Sequence, residues 1–177
     1  MINPAEYARA IFSLAEERGA AESVLSDVRA ACQAAEQNPK YISLADTPAL
    51  PRAERLMLVS EAFASLDSDV QNLIKILVER HSFSALSKIR DEFSRLYDES
   101  RNIERVIAIS AHALTEAQKR ALTEKLAGIT GKTVILENKV DSSILGGVVL
   151  RYSGTQLDGS LKTRLDKLKE SLKSIII

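Results

Sequence analysis

Val-Ile-Ala-Ile at residues 106–109 decides the fold, because here the apolar residues stop recurring at helical intervals. A β-branched run this short is the kind that fills a buried strand. Before it, the apolar period is helical throughout. Asn3 can cap a first helix that has Pro4 at its opening position and Glu6 close behind, with an end predicted near Gly19. A second carries Val24, Val28, Cys32 and Ala35 along one stripe, and a short third is predicted from Lys40 to Ala45. A fourth is expected from Pro51 to Ala64, with Leu56, Val59 and Phe63 on one side. Asp69 is expected to cap a fifth that gathers Val70, Leu73, Ile74, Leu77 and Val78 and stops near His81. After Ser84 a sixth presents Leu86, Ile89, Phe93, Leu96 and Tyr97. Six helices joined by short loops read as a compact bundle.

Beyond the run, Thr115 and Gln118 form a capping box for a helix predicted to end at Gly128. Residues 133–140 alternate, with Val134, Leu136 and Val140 on one face, and residues 147–152 read as another strand. Gly154 and the Asp158-Gly159 pair punctuate turns. Ser160 then caps a last helix whose Leu161, Leu165, Leu168, Leu172 and Ile175 are spaced 4-3-4-3. The expected fold is mainly α: a six-helix bundle over residues 1–105, then a small α+β domain over 106–177.

Composition excludes several classes of function. The chain has 177 residues, with 24 Lys+Arg against 24 Asp+Glu, whereas a protein that holds nucleic acid by neutralising phosphates needs a basic excess. The zero is a sum of unlike parts. Residues 1–105 hold 13 basic and 17 acidic side chains, giving −4, and residues 106–177 hold 11 and 7, giving +4. One cysteine allows no internal disulfide. The N-terminus has neither the basic and apolar regions of a secretory signal nor the Arg-rich character of a transit peptide. No run approaches the roughly 20 apolar residues that span a bilayer, so direct membrane insertion is not expected.

Chemistry is scarce as well. Two histidines, His81 and His112, and one cysteine without metal-ligand spacing point to no metal or cofactor site and no catalytic residues. Cys32 shares an apolar stripe and reads as a small buried hydrophobe. The pairs Asp91-Glu92 and Asp98-Glu99 read as a solvated face. Gly131-Lys132-Thr133 imitates the end of a phosphate-binding loop, but position 126 is Leu, not Gly, and the segment leaves a helix to enter a strand, the reverse of a phosphate loop. No nucleotide or other small-molecule substrate is expected.

The remaining signal lies in surfaces. The first helix spreads apolar side chains from Ala10 through Leu14, Tyr7, Ile11, Ala15 and Ala8 to Phe12, an arc of roughly 200°, where a single core needs little more than about 100°. In the fifth, Ile76 lies off the apolar stripe beside Asn72. This excess points to a groove between the two helices that receives an amphipathic helix from another protein. The last helix carries a net +3, from five basic and two acidic side chains, which can steer an acidic partner.

The segment Asp-Ser-Ser-Ile-Leu-Gly-Gly-Val-Val-Leu-Arg-Tyr-Ser-Gly-Thr-Gln-Leu-Asp-Gly-Ser, residues 141–160, followed by Leu161, Arg164, Leu165 and Leu168, resembles the C-terminal motif of the F-type ATP synthase delta subunit family, whose mitochondrial member is the oligomycin sensitivity-conferring protein. Tyr-Ala-Arg-Ala-Ile-Phe at 7–12, Asn72-Leu73-Ile74 through Leu77, and Ser-Ala-His-Ala-Leu-Thr at 110–115 are similar to other parts of that family. The resemblance implies a stator protein and not an enzyme. Residues 1–105 would sit on the catalytic hexamer and bind the alpha-subunit N-terminal helix between the first and fifth helices. Tyr7, Ala10, Ile11, Asn72 and Ile76 fall at or beside that groove by resemblance. Residues 106–177 would join the peripheral-stalk b subunits, and Gly146, Gly147, Asp158 and Gly159 belong to a motif that serves structure or contact. Arg52 and Arg55 stand where the family often has Lys, and Ser82-Phe83 replaces an Arg-containing turn. The implied place is peripheral, on the cytoplasmic face of a bacterial cell membrane. A reading of a different class, a stand-alone nucleic-acid or protein-binding adaptor using the basic C-terminal domain, predicts salt-sensitive binding to DNA or RNA.

Overall fold

Asn3 starts the first helix as its sequence requires: its side-chain oxygen accepts the Ala5 N–H at 3.2 Å, and Pro4 occupies the opening turn where its missing N–H is no loss. In the computed structural model, which describes residues 2–47, 49–152, 154–161, 163 and 165, the chain divides into two units, Met1–Tyr97 and Asp98–Ile177.

The first unit holds α1 (Pro4–Glu17), α2 (Ala21–Gln37), α3 (Pro39–Asp46), α4 (Arg52–Ala62) and α5 (Ser68–Glu79), then a 3-10 turn at Phe83–Ala85 leading into α6 (Leu86–Ser100), whose last turn runs into the second unit. Helices α1, α2, α5 and α6 each bury apolar side chains along a face. In α2 this is Val24, Leu25, Val28, Ala31, Cys32 and Ala35, and in α6 it is Leu86, Ile89 and Phe93. Phe93 meets Phe12 edge to face at 5.4 Å, and Tyr41, Phe63 and Phe83 form a second aromatic group with centroids 6.1 to 6.4 Å apart. Among the described residues of this unit one charge is buried: Arg55, 5% exposed, donates from Nη1 to the Val78 carbonyl at 2.8 Å and lies 3.0 Å from His81 Nδ1. The cap of α5 is Asp67 and not Asp69. The Asp67 carboxylate accepts the Asp69 N–H at 2.9 Å, since a side chain two residues ahead of that N–H has the reach and Asp69 already lies inside the first turn.

The second unit is one βαβ element extended by a hairpin. Strands β1 (Ile103–Ser110), β2 (Thr133–Val140), β3 (Val148–Tyr152) and β4 (Thr155–Asp158) lie in the order β2-β1-β3-β4. β1 and β2 run parallel, Ile103 opposite Thr133, and α7 (Glu116–Thr130) makes the crossover. β3 is antiparallel to both β1 and β4. Val106, Leu126 and Val134 form the buried centre, with Leu122, Ala127, Leu136, Leu150 and Tyr152 around it. The Thr115–Gln118 capping box is present.

The two units part after Tyr97: the Asp98 carboxylate accepts both Arg105 Nε, at 2.6 Å, and Nη2, at 2.9 Å, and β1 begins at Ile103. Two further expectations are corrected. Helix α7 runs through Gly128, since Thr130 back-bonds to Leu126 O at 2.9 Å and the left-handed Gly131, at φ +68°, supplies the stop. The turn region after Gly154 contains β4, a strand too short and too polar to show a period. Val140 shares the face of Val134 and Leu136 and is exposed at the end of β2. The helix expected beyond Ser160 lies, past Leu165, outside the described residues.

Candidate partner-binding surface

Helices α1 and α5 touch, and their ends are clipped together. Arg18, just past α1, donates to both oxygens of Asp67 at 3.2 and 2.9 Å and also pairs with Asp69. These hydrogen bonds from Arg18, with the Asp69 N–H, hold the Asp67 carboxyl below the usual aspartate range. Between the clipped ends each helix divides its apolar residues between two directions. In α1, Ala8, Ile11 and Ala15 are buried, Tyr7 and Phe12 pack part-buried against the core, Ala10 is exposed, and Leu14 is 49% exposed. In α5, Val70, Leu73, Ile74, Leu77 and Val78 are buried while Asn72 is exposed and Ile76 is 40% exposed.

Of the residues selected from sequence, Ala10, Asn72 and Ile76 therefore look outward. Tyr7 sits at the margin, and Ile11, only 4% exposed, belongs to the core and supports the surface from beneath. Leu14 joins the outward set. It was visible in the sequence as the residue one turn after Ala10 within the wide apolar arc.

Gly146, Gly147, Asp158 and Gly159 meet where β3 begins and β4 ends. The Gly159 N–H donates to Val148 O at 3.1 Å and the Leu161 N–H to Gly146 O at 2.9 Å. Gly147 has φ +85°, and a β-carbon there would stand 2.5 Å from Gly159 O; one on Gly146 would stand 2.7 Å from Leu161 Cδ1. Gly147 needs glycine for its left-handed backbone and the close approach of Gly159, whereas the contact at Gly146 is with the end of the Leu161 side chain. Asp158 ties the crossing, accepting the Ser160 N–H at 2.8 Å and the Thr163 hydroxyl at 2.8 Å, while Ser160 Oγ accepts the Thr163 N–H at 3.3 Å.

A family model described as "ATP synthase delta (OSCP) subunit" matches residues 4–172. The chain belongs to this family. It is 35% identical over 167 residues to the ATP synthase subunit delta of a Geobacillus species, covering 94% of each chain. It is 33% identical over 172 residues to that of Clostridioides difficile, covering 96% of this chain and 95% of the relative. With that of Leuconostoc mesenteroides it shares 36% over 168 residues, 94% and 93% of the two chains. A chain of the Toxoplasma gondii mitochondrial ATP synthase hexamer, solved by cryo-electron microscopy, superposes with a TM-score of 0.74 at 22% identity, covering 97% of this chain and 98% of that one. That likeness is one of fold.

Within the delta (OSCP) frame two groups singled out from the sequence, Lys132 and Cys32, are engaged in the fold. Lys132, of the phosphate-loop imitation, donates to Glu104 Oε2 at 2.7 Å and follows the stop of α7. Burial pushes the Cys32 thiol up to about 11. Among the described residues no three His, Cys, Asp or Glu side chains stand as a metal-holding group, and no helix is long and apolar enough to cross a membrane.

Proposed function

We propose that the chain is a non-catalytic stator subunit that links the top of the catalytic hexamer of a proton-translocating F-type ATP synthase to its peripheral stalk. In this reading the N-terminal helix of an alpha subunit lies along α1 and α5, and the b subunits of the stalk are held by the second unit, so that the hexamer does not turn with the rotor. The complex would place the chain peripherally on the cytoplasmic face of a bacterial cell membrane, attached through its partners.

The observation that carries this reading is the outward pair Leu14 and Ile76. They are exposed on two touching helices whose adjoining residues Ile11, Ala15, Ile74 and Leu77 are buried. An amphipathic helix laid into such a groove uses anchors one turn apart, and Ala10 with Leu14, and Asn72 with Ile76, have that spacing. Charge supports two different partners. Residues 1–97 carry 11 basic and 14 acidic side chains, net −3, and residues 98–177 carry 13 and 10, net +3.

Titrating the full chain with a peptide copying the alpha-subunit N-terminus tests the groove. Ile76→Glu should weaken binding about thirtyfold, on the order of 2 kcal/mol, since it puts a charge where an apolar anchor is expected. Unchanged affinity would remove the groove from this reading. Capture of b subunits by the full chain, lost on deleting residues 98–177, tests the other end.

A further inference from the structure

A concavity lies away from α1 and α5. Pro39 ends α2 and restarts the chain as α3, and the gap left between the end of α2, α3 and the end of α4 is a cleft of about 630 Å3. Ala34, Leu44, Ala62, Phe63 and Tyr41 give it apolar walls, and Phe63 and Tyr41 back onto Phe83. This volume is in the range of small-molecule sites, too small for a folded partner.

Two polar features stand at its edge. Lys40, on the lip, is exposed and makes no ion pair among the described residues. The start of α3 has no side-chain cap, because Asn38, at the cap position, turns its side-chain amide back to Ala34 O at 3.1 Å. A helix start of this kind favours negative charge. An apolar trough with a free cation and an uncapped helix start at one edge has the chemistry of an amphiphile site.

We propose that this cleft binds a small amphiphilic carboxylate, of the size of a medium-chain fatty acid, with its chain against Leu44, Ala62 and Phe63 and its carboxylate at Lys40 and the first turn of α3. The site is separate from the partner surface on α1 and α5 and does not depend on the stator reading.

The test is titration of the full chain with decanoate, below its micelle concentration, followed by amide chemical shifts. Saturable one-to-one shifts centred on Ala34, Lys40, Leu44 and Phe63 are expected. Ala62→Trp, which fills the cleft from an exposed position, should abolish them; Leu44→Glu should do the same if the first variant fails to fold. Lys40→Ala should weaken binding roughly two- to fivefold, as for an exposed ion pair, and decanol should bind more weakly than decanoate by a similar factor. Non-saturable shifts, shifts centred on Leu14 and Ile76, or undiminished binding in folded Ala62→Trp overturn the proposal. So does an apolar helical peptide that occupies the cleft when decanoate does not.

Discussion

Among the described residues, twenty-one apolar side chains are buried together in the helical unit, against three at the centre of the sheet unit. The helices are specified by side-chain volume. The sheet leans instead on its main chain: an eight-pair parallel ladder between β1 and β2, and a crossing of β3 and β4 where Gly147 and Gly159 lie too close for a β-carbon on Gly147. Polar side chains share the load. Asn138 donates to Ala108 O and to Ser110 Oγ, both at 2.9 Å, and the nearly buried Glu104 is held by Lys132. Within the described residues, then, the helical unit is sensitive to lost side-chain volume, and the sheet to a shifted backbone and to loss of its polar ties.

This contrast can be broken most directly in the helical core. Phe93→Ala removes a fully buried ring and its edge contact with Phe12, and should destabilise the helical unit by about 3 to 5 kcal/mol. Val134→Ala in the sheet should lose only about 1 to 2 kcal/mol. Equal losses, read by chemical denaturation, would erase the distinction. Next in size, Gly147→Ala should destabilise the sheet unit by about 2 to 4 kcal/mol, through left-handed strain and collision with Gly159 O. Amide exchange should then rise across β1 to β4 while α2 and α5 keep their protection. A uniform rise would mean that the two units unfold as one.

The same division governs how much could be read in advance. Helices announced themselves through caps and stripes: Asn3-Pro4, Thr115 with Gln118, and the period of α2 all appear where expected. The strand at 133–140 was equally legible because its inward residues alternate. What escaped was decided by tertiary geometry. β4 is exposed and only four residues long, and it exists because β3 offers it an edge. Gly128 stays helical because the next possible stop, Gly131, supplies the left-handed turn. For the surface, Ile76 and Ala10 were visible as residues out of phase, but no period could tell that Ile11 points inward while Leu14 does not. The cleft at Tyr41 had no signal beyond Pro39, since a cavity is a property of three helix ends that meet only in space.

Two smaller effects sharpen the contrast from the helical side. Asp67, whose carboxyl is held down chiefly by Arg18, contributes stability that is complete above the ordinary aspartate range and is lost as pH falls through the lower folded value. Asp67→Asn should therefore melt below the unaltered chain at neutral pH, with the gap closing in acid. Arg18 is 46% exposed, so solvent screens the pair and its own contribution is small. Cys32, raised to about 11, should resist a thiol reagent at pH 8 until the helical unit is unfolded, with no change in stability at all. Fast labelling of the folded chain would show the helical core to be looser than its packing implies.

The order β2-β1-β3-β4 also governs how the chain is made. β1 emerges from the ribosome before either strand that flanks it, so its two edges stay open until residues 133–152 have been synthesised. The helical unit, complete by Tyr97, is free to fold first. During that interval the nascent β1 is the segment most open to mispairing, and Glu104 and Arg105 near its start supply the charges that discourage strand-to-strand association.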